Sequence, residues 1–441
     1  GLLVAPVNRF LTPAEVASIV ADSGARVVIS SYAMRETAAA LLSPEHGGPG
    51  DRLAHLMVDD TVPGWESYEQ AIAAHPAERL AQEWLGATML YSSGTTGRPK
   101  GIVRTQPERL VSEGPVRREL TEVYGFSTDT VYLSPAPLYH AAPLGYCLHT
   151  QFVGGTVVIM DKFDAVESLR MIERYRVTHS QWVPTMFVRM LKLPEQQRRA
   201  FDLSSQRVAI HAAAPCPVEV KRQMIEWWGP ILYEYYGASE GHGTTLITSE
   251  DWLAHPGSVG RANLGVLHVC DEEGNELPPG EPGLIWFERD ELPFRYHNDP
   301  ARTEAARHPR HPNWTTTGDI GRVDEDGYLY LTDRQSFMII SGGVNIYPQI
   351  IEDALALHPA VLDVAVIGVP DAEMGESVKA VVQPAPGVEP SPALGEELIA
   401  FLRGRVGAYM IPRSVDFVDE LPRLPTGKLR KHELRARYWK T

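Results

Sequence analysis

Apolar residues recur at helical spacing over residues 13–23, where Val16, Ile19 and Val20 share one face. Thr12 can cap that helix, Pro13 suits its first turn, Glu15 completes a capping box and Gly24 ends it. An extended run follows at 26–30 (RVVIS). The alternation repeats further on. Residues 156–160 (TVVIM) read as a strand, then Asp164 caps a helix that turns Val166, Leu169, Ile172 and Tyr175 inward. Two more short apolar strands, 208–212 and 231–235, flank a helical stretch at 217–228. Strand and helix in this order predict an α/β fold of parallel sheets covered by helices. The opening run 1–7 (GLLVAPV) reads as a buried strand with no turn or cap before it, so a further N-terminal stretch is expected ahead of it.

Beyond Trp252 the texture changes to short strands joined by Gly/Pro turns, as in PPGEPGLIW and DEDGYLYLTDR, which predicts a β-rich subdomain. After Arg334 comes a compact mixed segment, with strands at 364–369 and 379–383 and a helix at 396–406. We expect a large N-terminal domain over 1–334 and a small, mobile α+β domain over 335–441, with the boundary at 333–336. A chain of 441 residues is long enough for two such domains.

The formal charge of −15 argues against nucleic acid as a partner, because phosphate neutralisation needs a basic face. Cys147, Cys216 and Cys270 are far apart and odd in number, which fits neither a disulfide framework nor zinc spacing and points to a reducing cytoplasm. No secretory signal or transmembrane run is evident. His308 and His311 in RHPRHP have a ligand-like gap, but the two prolines and the lack of a nearby Cys or carboxylate favour a solvated loop.

The densest chemistry lies where the strand Met89-Leu90-Tyr91 runs into Ser92-Ser93-Gly94-Thr95-Thr96-Gly97-Arg98-Pro99-Lys100-Gly101. Three glycines, four hydroxyls and a lysine make a loop whose backbone N–H groups can face a polyphosphate. It is not a Walker A loop, which needs GK[ST] entering a helix.

SSGTTGRPKG resembles the signature of the adenylate-forming superfamily: acyl- and aryl-CoA synthetases, luciferases and the adenylation domains of nonribosomal peptide synthesis. Six further motifs follow in order along the whole chain. The resemblance implies that Ser92, Ser93, Gly94, Thr95, Thr96, Gly97 and Lys100 hold the phosphates, and that His140 of Pro135–His140 (PAPLYH) lies near the substrate carboxylate. Within His211–Pro215 (HAAAP), Ala213, Ala214 and Pro215 form the adenine loop. Within Tyr235–Glu240 (YYGASE), Tyr236 and Gly237 meet the adenine, Ser239 meets the α-phosphate, and Glu240 holds Mg²⁺ together with Thr96. The turn GEPG at 280–283 is structural. Asp319 of TTGD and Arg334 clamp the ribose. In the small domain, Gly342 and Gly343 border the path of coenzyme A, and Lys428 of PTGK reaches the active site during adenylation. Lys428, Glu240, His140 and Thr96 are thus the expected catalytic residues. The family's hinge usually carries Asp or Lys two residues after the arginine, where this chain has Ser336.

The expected reaction is an acid–CoA ligation using ATP, Mg²⁺ and coenzyme A in the cytoplasm, by a chain that a homodimer would also suit. Largely apolar residues between His140 and His242, notably Trp182, Met186, Ala238 and His242, suggest a fatty, alicyclic or aromatic acid. An acyl-AMP ligase that loads a carrier protein is the neighbouring alternative, and a non-catalytic binding fragment is another. From a different class, Gly237–Gly241 (GASEG) matches the nucleophile elbow of serine hydrolases, which requires a helix directly after Ser239.

Overall fold

In this computed structural model the described residues are 1–46, 53–93, 99–105, 109–113, 118–334, 337–342, 344–423 and 429–439. They form two compact units. One comprises 1–116, 138–141 and 293–305, and the other 117–137, 142–292 and 306–441.

The second unit is built on a seven-stranded sheet. Its strands are β1 (Val131–Ser134), β2 (Thr156–Ile159), β3 (His179–Trp182), β4 (Val208–His211), β5 (Leu232–Gly237), β6 (Thr244–Thr248) and β7 (Arg261–Leu264), in the order β7-β6-β5-β4-β3-β1-β2. β2, β1, β3, β4 and β5 run parallel, while β6 and β7 are antiparallel. The helices α1 (Ala141–Phe152), α2 (Ala165–Tyr175), α3 (Pro184–Leu191) and α4 (Val218–Trp228) cross between the parallel strands. Side chains alternate along each strand. Tyr132, His179, Tyr233 and Tyr235 therefore turn toward α1 and its neighbour Phe126. Trp182, His211 and Glu234 turn toward α3 and α4.

The helix caps follow the sequence. Thr12 and Glu15 form both halves of a capping box on Pro13–Ser23, and Asp164 accepts from the Glu167 N–H at the head of α2. Leu169 and Ile172 are fully buried, whereas Tyr175 at the end of α2 is largely exposed, contrary to its expected inward position. The helix ends directly after it, at Arg176 in the left-handed region.

A second sheet carries the β-rich texture: β8 (Val266–Cys270), β9 (Gly283–Glu288), β10 (Trp314–Val323) and β11 (Leu329–Arg334), all antiparallel. RHPRHP is an exposed loop, as expected, except at its first histidine. His308 is buried, its Nε2 lies 3.1 Å from the Gly274 carbonyl, and His311 stacks on Trp314. No group of three or more His, Cys, Asp or Glu side chains among the described residues could hold a metal.

The C-terminal part has its own apolar core, where α5 (Pro348–Ala356) packs on the hairpin β12 (Val361–Asp371) and β13 (Gly375–Pro384). Ile351, Leu355, Val366 and Val382 are fully buried there.

In the first unit, Ala87–Ser93 pairs antiparallel with Pro99–Arg104, which pairs in turn with Phe294–Tyr296. The strand expected at 1–7 is present only as Leu3–Val4, parallel to Ala87–Ser93, and it is exposed rather than buried. It is an edge strand, and its side chains have no layer packed over them among the described residues.

His179 gives the fold a pH dependence. Its Nε2–H donates to the Tyr124 carbonyl at 2.7 Å, so Nδ1 accepts from Thr178 at 2.8 Å, which fixes one neutral tautomer. Burial pushes its pKa down to about 4. Because the folded pKa lies below that of the unfolded chain, protons favour unfolding between about pH 6.5 and pH 4. The loss over that window is about 3 kcal/mol from this residue. Thermal unfolding of His179→Gln should show a flatter profile there than the parent.

Candidate active site

Parallel α/β sheets gather ligands at the C-terminal ends of their strands. In the second unit those ends carry the expected motifs: β1 runs into Pro135–Pro137, β4 into Ala212–Pro215, and β5 into Gly237–Glu240.

The best-formed cluster joins two motifs far apart in the chain. The Tyr236 hydroxyl donates to Asp319 Oδ2 at 2.6 Å and lies 2.6 Å from Thr317 Oγ1. Asp319 is mostly buried, and its backbone stands in register with Arg334 across β10 and β11. Gly318 occupies the left-handed region (φ 76°), a position that favours glycine and lets Asp319 turn back toward β5. The tyrosine expected beside the base and the aspartate expected on the ribose thus share one hydrogen-bond network.

Ala213 also holds a left-handed backbone (φ 77°). For a residue with a Cβ this is strained, and strain of this kind concentrates at ligand-binding turns. Sequence reading singled out the small side chains of this loop but had no signal for its strain.

Glu240 and His242 are buried, and Ser239 is partly exposed in the same turn. The residue after Ser239 begins no helix. Residues 238–243 form turns that lead straight into β6, so the nucleophile-elbow reading fails. Gly243 has a reason to lack a side chain: a Cβ there would fall 2.2 Å from the Phe287 ring.

Behind these loops lies a charged core that sequence reading missed. Lys221 on α4 donates to Glu234 Oε2 at 2.6 Å, with both side chains buried, and His211 lies 3.7 Å from the same carboxylate. Burial raises the Glu234 pKa, opposed by Lys221, and burial with Lys221 nearby holds His211 neutral. The pair ties α4 to β5 under Ala212–Pro215. A polar residue inside an amphipathic helix was the only sequence signal for it. A cleft of about 90 Å³ beside Pro215 and Cys216 runs to Gln349 and Asp353 of α5. It is too small for a nucleotide, since ligand pockets run to several hundred Å³.

Trp182 and Met186 do not line an acid pocket as expected. Trp182 packs against Phe163, Phe187 and Trp228 on the α3/α4 face, and Met186 belongs to the same core. The β3 periodicity that hides Trp182 turns Gln181 to the other face.

In the first unit, Ser92 and Ser93 end one strand and Lys100 is the second residue of its antiparallel partner, Pro99–Arg104. The Lys100 ammonium donates to the Tyr296 hydroxyl at 3.1 Å and lies 4.5 Å from that ring's centre. His140 packs on Tyr139, with ring centres 4.3 Å apart. Gly342 has φ 57°. Gly94, Thr95, Thr96, Gly97, Ser336, Gly343 and Lys428 lie outside the described residues, as do the side chains of Ser92, Ser93 and Arg334.

Comparison with known proteins agrees with this layout. The AMP-binding enzyme family matches residues 1–296, and the AMP-binding enzyme C-terminal domain matches 350–428. A feruloyl-CoA synthase from Amycolatopsis is 35% identical, with 99% of this chain and 84% of that protein covered. The medium/long-chain-fatty-acid–CoA ligase FadD8 of Mycobacterium tuberculosis is 33% identical over 97% of this chain and 74% of its own length. The crystal structure of ATP-bound MatB from Rhodopseudomonas palustris superposes with a TM-score of 0.78 at 29% identity, covering 98% of this chain and 83% of that one. With two family domains matched in order and such relatives along its length, the chain belongs to the AMP-binding enzyme family of the adenylate-forming superfamily.

Proposed function

We propose that this chain is an AMP-forming acid–CoA ligase whose nucleotide is held by the residues assigned above. The observation that carries the site assignment is the Tyr236–Asp319–Thr317 network, which joins two of the expected nucleotide motifs across 83 positions of sequence. ATP, Mg²⁺ and coenzyme A are its cofactors. The donor set suits the metal: Mg²⁺ prefers one or two carboxylates completed by substrate phosphates, and Glu240 is a buried carboxylate beside Ser239. Bound with the triphosphate, the metal supplies charge neutralisation at the phosphate oxygens.

In the first half-reaction a carboxylate oxygen of the acid attacks the α-phosphorus, and the bond to pyrophosphate breaks. Asp319 holds the ribose hydroxyls, with its second oxygen fixed by Tyr236. Ser239 and Lys428 donate toward the α-phosphate oxygens as charge builds there. In the second, the coenzyme A sulfur attacks the acyl carbon and AMP leaves. We place the change between the two in a rotation of the 335–441 domain that withdraws Lys428 and presents Gly342 and Gly343. One cleft then serves two charge distributions in turn. Among the described residues no helix is long and apolar enough to cross a membrane, and we place the enzyme in the cytoplasm, where its substrates are.

Acid-dependent exchange of pyrophosphate into ATP, followed by mass detection of the thioester, tests this reading. Exchange without thioester, together with acylation of a phosphopantetheinylated carrier, would move the chain to the carrier-loading class.

Asp319→Ala should raise KM for ATP by about tenfold, the loss of roughly one charged hydrogen bond. It should also narrow the preference for ATP over 2′-deoxy-ATP, because only the parent carboxylate rewards the hydroxyl. Steady-state kinetics with both nucleotides checks this, and an unchanged preference would assign the ribose to another residue.

A further inference from the structure

The α1 face of the central sheet carries two buried polar atoms without partners. Gln181 is 3% exposed and Tyr132 fully buried, yet Gln181 Oε1 and the Tyr132 hydroxyl have no hydrogen-bond partner. Ser134 is near Tyr132 but not in hydrogen-bonding geometry with it. A buried acceptor left unmade costs about 1–3 kcal/mol, so such atoms call for a cause.

Their position supplies one. Gln181 stands opposite Ile210 in β4, and Ile210 stands opposite Tyr233 in β5. Tyr132 is opposite His179 and Leu133 opposite Ser180, so the next step of that register brings Ser134 beside Gln181. One level nearer the C-terminal ends, Tyr235 meets Tyr146 of α1 with ring centres 6.4 Å apart. Tyr146 is itself stacked between Phe126 and Tyr132, at 6.0 Å from each. From the loop 237–240 downward, this face presents aromatic rings first, then the Gln181 side chain, then Tyr132.

We infer that this face receives the distal end of the acid, and that Gln181, backed by Tyr132, makes the enzyme select aromatic acids bearing a ring hydroxyl. The inference rests on the acid–CoA ligase reading above. Rings favour an aromatic body, because offset and edge-on contacts add to its burial. Gln181 and Tyr132 are neutral, so they match a hydroxyl, which both donates and accepts, rather than an ion that would stay uncompensated. A site with a buried acceptor also rejects the analogue that cannot donate to it.

The test is kcat/KM, read by AMP release, for aryl carboxylic acids in matched pairs with and without one ring hydroxyl. The parent enzyme should prefer the hydroxylated member of at least one pair by about tenfold or more. Gln181→Leu should bring that ratio close to one, by slowing the hydroxylated acid while sparing the other. Tyr132→Phe should shift it in the same direction by less. If Gln181→Leu does not fold, Gln181→Met, closer in shape, takes its place. Equal use of both members by the parent overturns the inference, as does an equal loss for both in the variant, which would mean that ordered water satisfies Gln181. Both outcomes leave the ligase reading standing. Absence of AMP formation with every acid would instead overturn that reading and this inference with it.

Discussion

Replacing Lys428 by alanine is expected to slow acyl-adenylate formation by about 10²–10³-fold, the usual cost of losing one donor aimed at transition-state charge. Thermal stability should hardly change, because the packing next to it is carried by its neighbours: Leu429 sits against a small apolar core and Lys431 is buried. The flanks of the 424–428 segment are anchored without it. Arg423 Nη2 donates to Asp363 at 2.7 Å, Arg423 bridges to Leu429, and Lys431 pairs with Glu352 at 2.7 Å on α5. When acyl-adenylate is supplied with coenzyme A, the variant should form thioester at nearly the parent rate if, as proposed, the domain rotation withdraws Lys428 before that step. Rapid-quench kinetics of each half-reaction separates the steps, and an equal loss in both would refute domain alternation.

The second large effect concerns stability. Lys221→Met should cost about 3–5 kcal/mol, the penalty for removing one partner of a buried ion pair. Glu234 would then be a buried carboxylate with no cation, and its pKa, already raised by burial, would rise further. Against a total stability of about 5–15 kcal/mol this is a large share. Lys221→Met/Glu234→Leu should recover most of the loss, because well-packed apolar residues replace such pairs at little cost. Denaturant unfolding of the parent, Lys221→Met, Glu234→Leu and the double variant reads the cycle. A single variant as stable as the parent would mean that the pair contributes nothing at the foot of Ala212–Pro215.

Much of the fold was legible wherever local chemistry decides local structure. Thr12, Glu15 and Asp164 cap as their side chains dictate, and Val208 to His211 is apolar enough to fix a central strand. The motifs also named the residues of the Tyr236–Asp319 network, but not their hydrogen bond, which depends on strands of two different sheets meeting across 83 positions of sequence. Residues whose environment is set by the opposite layer were misread. Trp182 and Gln181 are neighbours in sequence, and only the sheet decides which faces the α3/α4 core and which faces α1. His308 seemed a loop residue because prolines surround it, yet it is buried by Trp286 and Trp314, which no local pattern brings to it. Lys221 offered only its place inside an amphipathic helix as a sign of burial, because its partner Glu234 comes from a separate strand.

The chemistry itself is tested most directly by isotope transfer. An acid labelled with ¹⁸O in its carboxylate is converted to the CoA thioester with MgATP, and the phosphorus products are analysed by mass spectrometry. Attack on the α-phosphorus predicts AMP carrying one labelled oxygen, with unlabelled pyrophosphate. Labelled inorganic phosphate accompanied by ADP would mean attack at the γ-phosphorus through an acyl phosphate, and would contradict the assignment of this chain as an adenylate-forming ligase.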